Sequence, residues 1–126
     1  MGCPFCSLRE SRILYRNELA AAVSDTYPVS PGHSLVTPLR HVGSYFLLQS
    51  EEREAMNELL DRVQRDLQES LKPDAYTIGI NDGPAAGQSI PHVHIHLIPR
   101  FKGDRDNPRG GVRWVLPEKA DYWTPR

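Results

Sequence analysis

The chain has 126 residues and a mass of 14.3 kDa, which is the size of one domain with its own core. Its 39% apolar and 25% charged residues exclude an intrinsically disordered protein. The net charge of −1 argues against a protein that coats nucleic acid. No apolar run approaches the roughly 20 residues of a membrane span. We expect one domain, residues 1–126, with neither nucleic acid nor a membrane as its partner.

The first residues carry a CxxC motif and no secretory signal. The segment from Met1 to Cys6 lacks the apolar stretch that such a signal requires, so we expect a cytoplasmic protein. Because thiols stay reduced in the cytoplasm, Cys3 and Cys6 are predicted to be metal ligands or a redox pair in preference to a disulfide. The position of the motif at the terminus, outside a βαβ pattern, disfavours the redox interpretation.

Three short strands are predicted in the first forty residues. Residues 13–15 and 19–23 flank a turn at 16–18, and residues 34–37 follow the turn Ser30-Pro31-Gly32. A helix from about Glu51 to Leu71 is the clearest element, because its apolar residues recur with the 3.6-residue period. Ser50 is its predicted N-cap.

Two more strands are predicted after the helix, at residues 76–80 and 93–98. The turn 81–84 follows the first of them. Strands, one long helix and further strands with short connections indicate an α+β domain built on an antiparallel sheet.

Three of the five histidines alternate near the end of the chain: His92, His94 and His96. On a strand, alternate side chains share one face, so the imidazoles would line one side while Val93 and Ile95 enter the core. Two kinds of chemistry remain open at this point. The histidines can bind a metal together, or one neutral imidazole can attack phosphorus as a nucleophile.

Residues just before the three histidines favour nucleophilic attack over metal binding. Asn81, Gln88 and Ser89 supply amide and hydroxyl groups, and such neutral donors stabilise charge that develops on phosphate oxygens. They are not additional metal ligands. The predicted chemistry is therefore attack of a histidine on a phosphoryl group.

Three segments together resemble the histidine triad (HIT) family: residues 92–100, 81–89 and 31–39. The resemblance extends over about residues 3–104, and the loop at 83–88 is closest to the fragile-histidine-triad branch of dinucleoside polyphosphate hydrolases. It implies a homodimer in which two α+β protomers, each an antiparallel sheet with one long helix, join their sheets.

The resemblance also implies an activity and a set of site residues. Family members bind nucleotides and cleave at the α-phosphorus through a covalent nucleotidyl-histidine, here His94. His96 would contact the phosphate and His33 would support the cluster. Asp25 would bind the ribose, and phosphate or bridging oxygens would be contacted by Asn81, Gln88 and Ser89. Either Ser89 or His96 would relay the proton to the leaving group.

Two alternatives to hydrolysis remain open. In a nucleotidyltransferase or phosphorylase, phosphate instead of water would intercept the nucleotidyl-His94. A regulatory protein would bind nucleotides and hydrolyse them only incidentally.

A zinc-bearing subset of the family has its ligands at positions that correspond here to Cys3, Cys6, His41 and His92. The resemblance therefore implies a structural Zn²⁺ and makes residues 1–8 a ligand-bearing N-terminal segment. The alternative is two buried reduced cysteines beside a surface His41.

Residues 100–126 form a C-terminal tail. From Pro99 to Arg126 there are seven basic and four acidic residues, and the tail also holds Trp114, Tyr122 and Trp123. Trp114 fits a substrate contact and a packed tail equally well, and Trp123 is expected to anchor an interface.

Overall fold

The computed structural model describes residues 2–125; Met1 and Arg126, the ends of the predicted N-terminal segment and tail, lie outside that range. Its centre is a five-stranded sheet in which every neighbouring pair is antiparallel. The first four predicted strands are present with ends that differ by one residue. The strand order is β1-β2-β3-β5-β4, with β1 at Ile13–Arg16, β2 at Ala20–Ser24, β3 at Ser34–Pro38, β4 at Ala75–Gly79 and β5 at Ile95–Arg100.

One long helix, α1 (Ser50–Ser70), covers one face of the sheet. Its side chains at Met56, Leu59 and Val63 are at most 2% exposed, as the three- and four-residue spacing predicts. They form the main core with apolar residues of β2, β3 and β5. The α+β architecture predicted from the sequence is therefore confirmed.

The start of α1 differs from the prediction. Gln49, not Ser50, is the N-cap, because the Glu52 carboxylate accepts the Gln49 N–H at 2.8 Å. Arg40, from the loop after β3, donates to the same carboxylate at 2.8 and 3.0 Å. This distant pair, which local sequence does not reveal, sets the first turn of the helix.

The last strand also begins later than predicted. The Val93 N–H donates to the Val42 carbonyl at 2.8 Å instead of to a neighbouring strand, so β5 starts only at Ile95. His92 and His94 precede the strand, and only His96 lies on it.

The alternation within this segment is nevertheless as predicted. Val93, Ile95 and Leu97 are at most 5% exposed and belong to the core beneath α1. The prediction of which side chains enter the core was correct even though the strand boundary was not.

The other face of the sheet carries His96 and is called the histidine face below. Leu35 on β3 and Gly79 on β4 lie opposite His96 in the register, and paired residues of an antiparallel sheet share a face. The N-terminal segment covers part of this face, where Phe5 packs on Leu35 and Val23. The sheet thus has an apolar layer on both sides.

The tail folds back on itself after β5. It contains a 3₁₀ turn at Gly111–Val115 and the short helix α2 at Pro117–Ala120. The Arg113 guanidinium joins them by donating to the carbonyls of Ala120 (2.9 Å) and Lys119 (2.7 Å). Within residues 2–125, no helix has the length and apolar character needed to cross a membrane.

Candidate active site and metal-binding group

His94 is held in one tautomer. Its Nδ1 lies 2.9 Å from the backbone carbonyl of His92, and a carbonyl only accepts, so Nδ1 carries the proton. The lone pair is then on Nε2. The ring is half-buried, 4.7 Å from the Phe5 ring and 5.0 Å from the His96 ring. An imidazole in this state is a competent nucleophile.

His33 and His96 form a second ordered pair. The Val29 N–H donates to His33 Nδ1 at 3.2 Å, so the proton of His33 is on Nε2. That atom lies 2.9 Å from His96 Nδ1 and 3.3 Å from a carboxylate oxygen of Asp25. His96 Nδ1 therefore accepts, and His96 Nε2–H is a donor available to a ligand.

Burial favours the neutral form of both rings. His33 is 4% exposed, and burial lowers its pKa below the ordinary histidine value. Burial is also the main cause that lowers the pKa of His96, and the neighbouring His94 and His33 lower it further. Neutral rings preserve the alternation of donors and acceptors that the geometry indicates.

Asp25 lies just beyond the end of β2, at the rim of the histidine face. One carboxylate oxygen accepts the Tyr27 N–H at 2.8 Å, and the other is the one near His33. The predicted ribose ligand thus sits beside the predicted phosphate contact, because the ligand atoms of Asp25, His33 and His96 lie within 4.8 Å of one another.

The loop before the histidines is braced by Gln88. The Gln88 side-chain oxygen accepts the Gly83 N–H at 2.7 Å, and its nitrogen donates to the carbonyls of Gly43 (2.8 Å) and Ile90 (3.1 Å). In this structure the amide shapes the loop. The side chains of Asn81 and Ser89 are exposed.

A second group joins the N-terminus to the histidine cluster. The ligand atoms of Cys3, Cys6, His41 and His92 all lie within 4.8 Å of one another. Cys3 Sγ is 3.4 Å and His41 Nδ1 is 3.2 Å from His92 Nδ1, and Cys6 Sγ is 3.2 Å from His41 Nδ1. Both cysteines are free thiols.

The geometry and chemistry of this group fit a tetrahedral metal ion. A tetrahedron with the usual zinc–nitrogen and zinc–sulfur bonds has edges of about 3.3–3.8 Å, close to the distances between these atoms. His92 Nε2 lies 2.8 Å from the Pro38 carbonyl and donates to it, which leaves the Nδ1 lone pair directed at the group. Such an outer hydrogen bond commonly orients a histidine ligand.

Phe5 is a site residue that the sequence analysis missed. It stands between the two cysteines, is 6% exposed, and contacts the rings of both His92 and His94. An apolar residue in a CxxC motif carries no periodic signal, and the contact arises only because the N-terminal segment crosses the histidine face.

Comparison with known proteins identifies relatives over most of the chain. The HIT domain family matches residues 8–103. The bis(5'-nucleosyl)-tetraphosphatase (asymmetrical) of Schizosaccharomyces pombe is 40% identical over 94 residues, which are 75% of this chain and 52% of the yeast protein. The bis(5'-adenosyl)-triphosphatase of Dictyostelium discoideum is 40% identical over 100 residues, 79% of this chain and 67% of that protein.

A solved structure shares the fold. The zinc-bound histidine triad family protein of Mycobacterium smegmatis superposes with a TM-score of 0.72 and 32% identity, over 82% of this chain and 78% of that one. The present chain spans about half the length of the yeast relative. The match over residues 8–103 and the arrangement of its histidines show that this chain belongs to the HIT domain family.

Proposed function

We propose that the protein hydrolyses dinucleoside polyphosphates, or related nucleoside 5'-phosphoryl conjugates, at the α-phosphorus through a covalent nucleotidyl-His94. The observation that carries this proposal is the hydrogen bond from His94 Nδ1 to the His92 carbonyl, since it leaves Nε2 unprotonated. The names of the yeast and Dictyostelium relatives, a tetraphosphatase and a triphosphatase, support the substrate class.

In the first step His94 Nε2 attacks the α-phosphorus. A P–N bond forms while the bond from phosphorus to the bridging oxygen breaks. The leaving phosphate oxygen departs as an anion that accepts a hydrogen bond from His96 Nε2–H or from the Ser89 hydroxyl, through which a proton from solvent is relayed to it. The same His96 donor stabilises charge on the phosphoryl oxygens. His33 holds His96 in the donating tautomer through the 2.9 Å contact.

In the second step water attacks the phosphoramidate. A P–O bond forms, the P–N bond breaks and its electron pair returns to His94 Nε2, the water proton passes to solvent through the same relay, and a nucleoside monophosphate departs. Division into two displacements replaces one difficult step with two easier ones. In this scheme Asp25 binds the ribose hydroxyls and Asn81 and Ser89 contact the phosphates, while Gln88, whose amide is hydrogen-bonded to Gly83, Gly43 and Ile90, holds the loop that lies beside them.

The metal of the N-terminal group is proposed to be a structural Zn²⁺ held by four ligands, Cys3, Cys6, His41 and His92. Two sulfur and two nitrogen donors suit zinc, and the related Mycobacterium smegmatis protein is zinc-bound. Four protein ligands leave no open position, so the ion would stabilise the fold instead of activating water. Thiol ligands also favour a reducing compartment, the cytoplasm.

A homodimer is proposed in which the sheets of two single-domain protomers join. Strand β4 lies at one edge of the sheet, and its Ile78 side chain is 51% exposed. An exposed strand edge is a surface on which another strand pairs.

The test is incubation with diadenosine triphosphate and tetraphosphate, with and without inorganic phosphate, followed by identification of the products. AMP plus ADP or ATP supports hydrolysis. ADP derived from the bound nucleotidyl group only when phosphate is present supports the phosphorylase. Tight binding without products supports the regulatory protein and contradicts the proposed hydrolysis.

A further inference from the structure

Asp82 is a carboxylate to which the proposed mechanism assigns no role. It lies in the loop at residues 81–89, which begins and ends with the two proposed phosphate ligands. One of its carboxylate oxygens accepts the Ser44 hydroxyl at 3.0 Å, and the other accepts the Tyr45 N–H at 2.7 Å. These partners precede Asp82 by 38 and 37 positions in the chain, so the two hydrogen bonds attach the loop to a distant segment.

The partners of Asp82 are fixed on the body of the protein. The Tyr45 ring packs against the main core. Arg53 of α1 donates to the Tyr45 carbonyl at 3.1 Å, and its guanidinium lies over the Tyr45 ring at 4.3 Å. The Ser44 hydroxyl accepts the Phe46 N–H at 3.1 Å and donates its own proton to Asp82. The carboxylate is therefore attached to a segment that is itself held by the core and by α1.

The far end of the loop has its own attachment to the same segment. The Gln88 amide donates to the Gly43 carbonyl at 2.8 Å. Asp82 comes directly after Asn81, and Gln88 comes directly before Ser89. Each proposed phosphate ligand thus lies next to a side chain that is hydrogen-bonded to the body of the protein.

The Asp82 end of the loop lies beside the proposed reacting groups. Gly79, the last residue of β4, pairs with His96, and Asn81 follows Gly79 by two residues. Among the residues that the structure describes, a Cβ atom on Gly79 would meet no atom within 4 Å beyond its chain neighbours. Open space is therefore present on the histidine face beside His96, and a phosphoryl group bound there would lie between His96 and the start of the loop.

The charge of Asp82 distinguishes two roles for this residue. Its two hydrogen-bond donors, a hydroxyl and a backbone N–H, are neutral groups. Through its charge alone, the carboxylate would repel the phosphates of a substrate. Through the position of the loop, it would strengthen phosphate binding, because donors that are already in place need no reorganisation when charge arrives. The two roles therefore predict opposite effects of removing the carboxylate.

We propose that Asp82 is a positioning residue that holds Asn81, and the loop with it, on the phosphates of the bound nucleotide. It acts through the hydrogen bonds to Ser44 and Tyr45 and touches no substrate atom. This proposal rests on the proposed hydrolase function, since that function places a phosphoryl group between His96 and the loop.

The binding test compares AMP with adenosine, which lacks the phosphate. The preference for AMP is measured by calorimetry as the ratio of the dissociation constant of adenosine to that of AMP. Asp82→Ala should lower this preference about fivefold, the size of one hydrogen bond, although the substitution removes a negative charge. Asp82→Asn keeps an oxygen for the Tyr45 N–H and should retain the wild-type preference. A preference that is unchanged or higher in Asp82→Ala, or equally low in Asp82→Asn, overturns the proposal.

The kinetic test uses the Rp and Sp diastereomers of adenosine 5'-(p-nitrophenyl phosphorothioate), in which sulfur replaces one or the other nonbridging oxygen at the scissile phosphorus. A loop held on one side of the phosphorus favours one diastereomer, because sulfur is a weak hydrogen-bond acceptor. The ratio of the two kcat/KM values should fall about fivefold in Asp82→Ala and about twofold in Ser44→Ala, which removes one of the two hydrogen bonds.

Both diastereomers are measured on the same sample, so a loss of folded protein leaves their ratio unchanged. The matched control is Asp61→Ala, an exposed acidic position on α1, and it should keep the wild-type ratio. A ratio that is the same in Asp82→Ala as in the wild type overturns the proposal. If Asp82→Ala does not fold, Ser44→Ala decides both tests, and wild-type values for that variant overturn the proposal.

The two tests separate this proposal from the hydrolase function. If the wild-type protein cleaves neither the phosphorothioates nor diadenosine triphosphate, the hydrolase proposal fails, and the preference for AMP still decides whether Asp82 supports phosphate binding. If the substrates are cleaved and Asp82→Ala keeps both wild-type ratios, the hydrolase function stands and the role of Asp82 is overturned.

Discussion

At the scale of single residues, two backbone groups decide which nitrogen of each active-site histidine carries the proton. The His92 carbonyl accepts a hydrogen bond from His94 Nδ1–H, and the Val29 N–H donates a hydrogen bond to His33 Nδ1. One ring therefore presents a lone pair, and the His33–His96 pair presents an N–H. In the proposed mechanism, main-chain geometry thus sets both the nucleophile and the hydrogen-bond donor before a nucleotide binds.

We predict that His94→Ala lowers turnover by more than about a hundredfold, because it removes the group that forms the P–N bond. Binding of AMP should persist, since Asp25, His33 and His96 keep their mutual contacts. Mass spectrometry of acid-sensitive adducts should find a nucleotidyl group on the wild-type protein and none on the variant. Residual turnover above one hundredth of wild type would contradict a covalent role for His94.

A second residue-scale prediction concerns Asp25. Asp25→Ala should weaken binding of AMP by about 1–3 kcal/mol, as expected for hydrogen bonds to a charged acceptor. The same variant should bind 2',3'-dideoxy-AMP as well as the wild type does, because that ligand lacks the hydroxyls in question. Equal weakening for both ligands, measured by titration calorimetry, would assign Asp25 to the support of Tyr27 and His33 alone.

At the scale of elements, long-range contacts decide where the predicted elements begin. The 3.6-residue period located α1 and the alternation of Val93, Ile95 and Leu97 located the core side of β5, because both patterns follow from burial on one side. The exact starts depended on Arg40 and Val42, which come from another part of the chain. Local sequence does not encode such partners, so boundaries were less predictable than the elements themselves.

In the candidate site too, local sequence pattern predicted some features, whereas others depend on long-range contacts. The spacing of the histidines marked the region, and the resemblance supplied the metal ligands that lie more than thirty residues apart. Neither the histidine spacing nor the family resemblance indicated that Phe5 touches His94 or that the Gln88 amide is hydrogen-bonded within the loop. Both facts depend on how separate segments of the chain cross in space.

The third prediction concerns the start of α1. The Arg40 hydrogen bonds lower the pKa of Glu52 below its ordinary value, so the ionised form stabilises the folded state. That stabilisation is complete above the pKa of Glu52 in the unfolded chain, about 4.3, and is lost as the pH falls through the lower pKa of the folded state. Glu52→Gln should cost about 1–3 kcal/mol at pH 7.

Urea unfolding from pH 7 down to pH 3 tests this linkage. The difference in unfolding free energy between wild type and Glu52→Gln should shrink toward the acid end of the range. Glu54→Gln, an exposed acidic position in the same helix, serves as the control and should change stability by less than about 0.5 kcal/mol. A Glu52 difference that does not vary with pH would contradict the assigned role of the carboxylate.

At the scale of the whole molecule, residues 92–96 join the cysteine-containing group to the candidate active site through one stretch of backbone. His92 belongs to the cysteine-containing group, His94 is the proposed nucleophile, and Phe5 touches both rings. Cys3 and Cys6, which flank Phe5 in the N-terminal segment, both lie beside His92. A metal ion in this group would therefore hold the wall of the active site without touching the substrate.

The last prediction follows from that arrangement. The purified protein should contain about one zinc ion per chain, and Cys3→Ser or His92→Ala should release the metal and lower the free energy of unfolding by more than about 2 kcal/mol, because metal binding at a structural site is folding free energy. His94→Ala should keep its zinc, since that side chain is not among the ligands. A chelator should inactivate the enzyme slowly, in step with loss of tertiary structure followed by near-ultraviolet circular dichroism. Rapid inhibition of a protein that remains folded, or loss of zinc in His94→Ala, would show that the metal takes part in the reaction and that His94 is a ligand instead of the nucleophile.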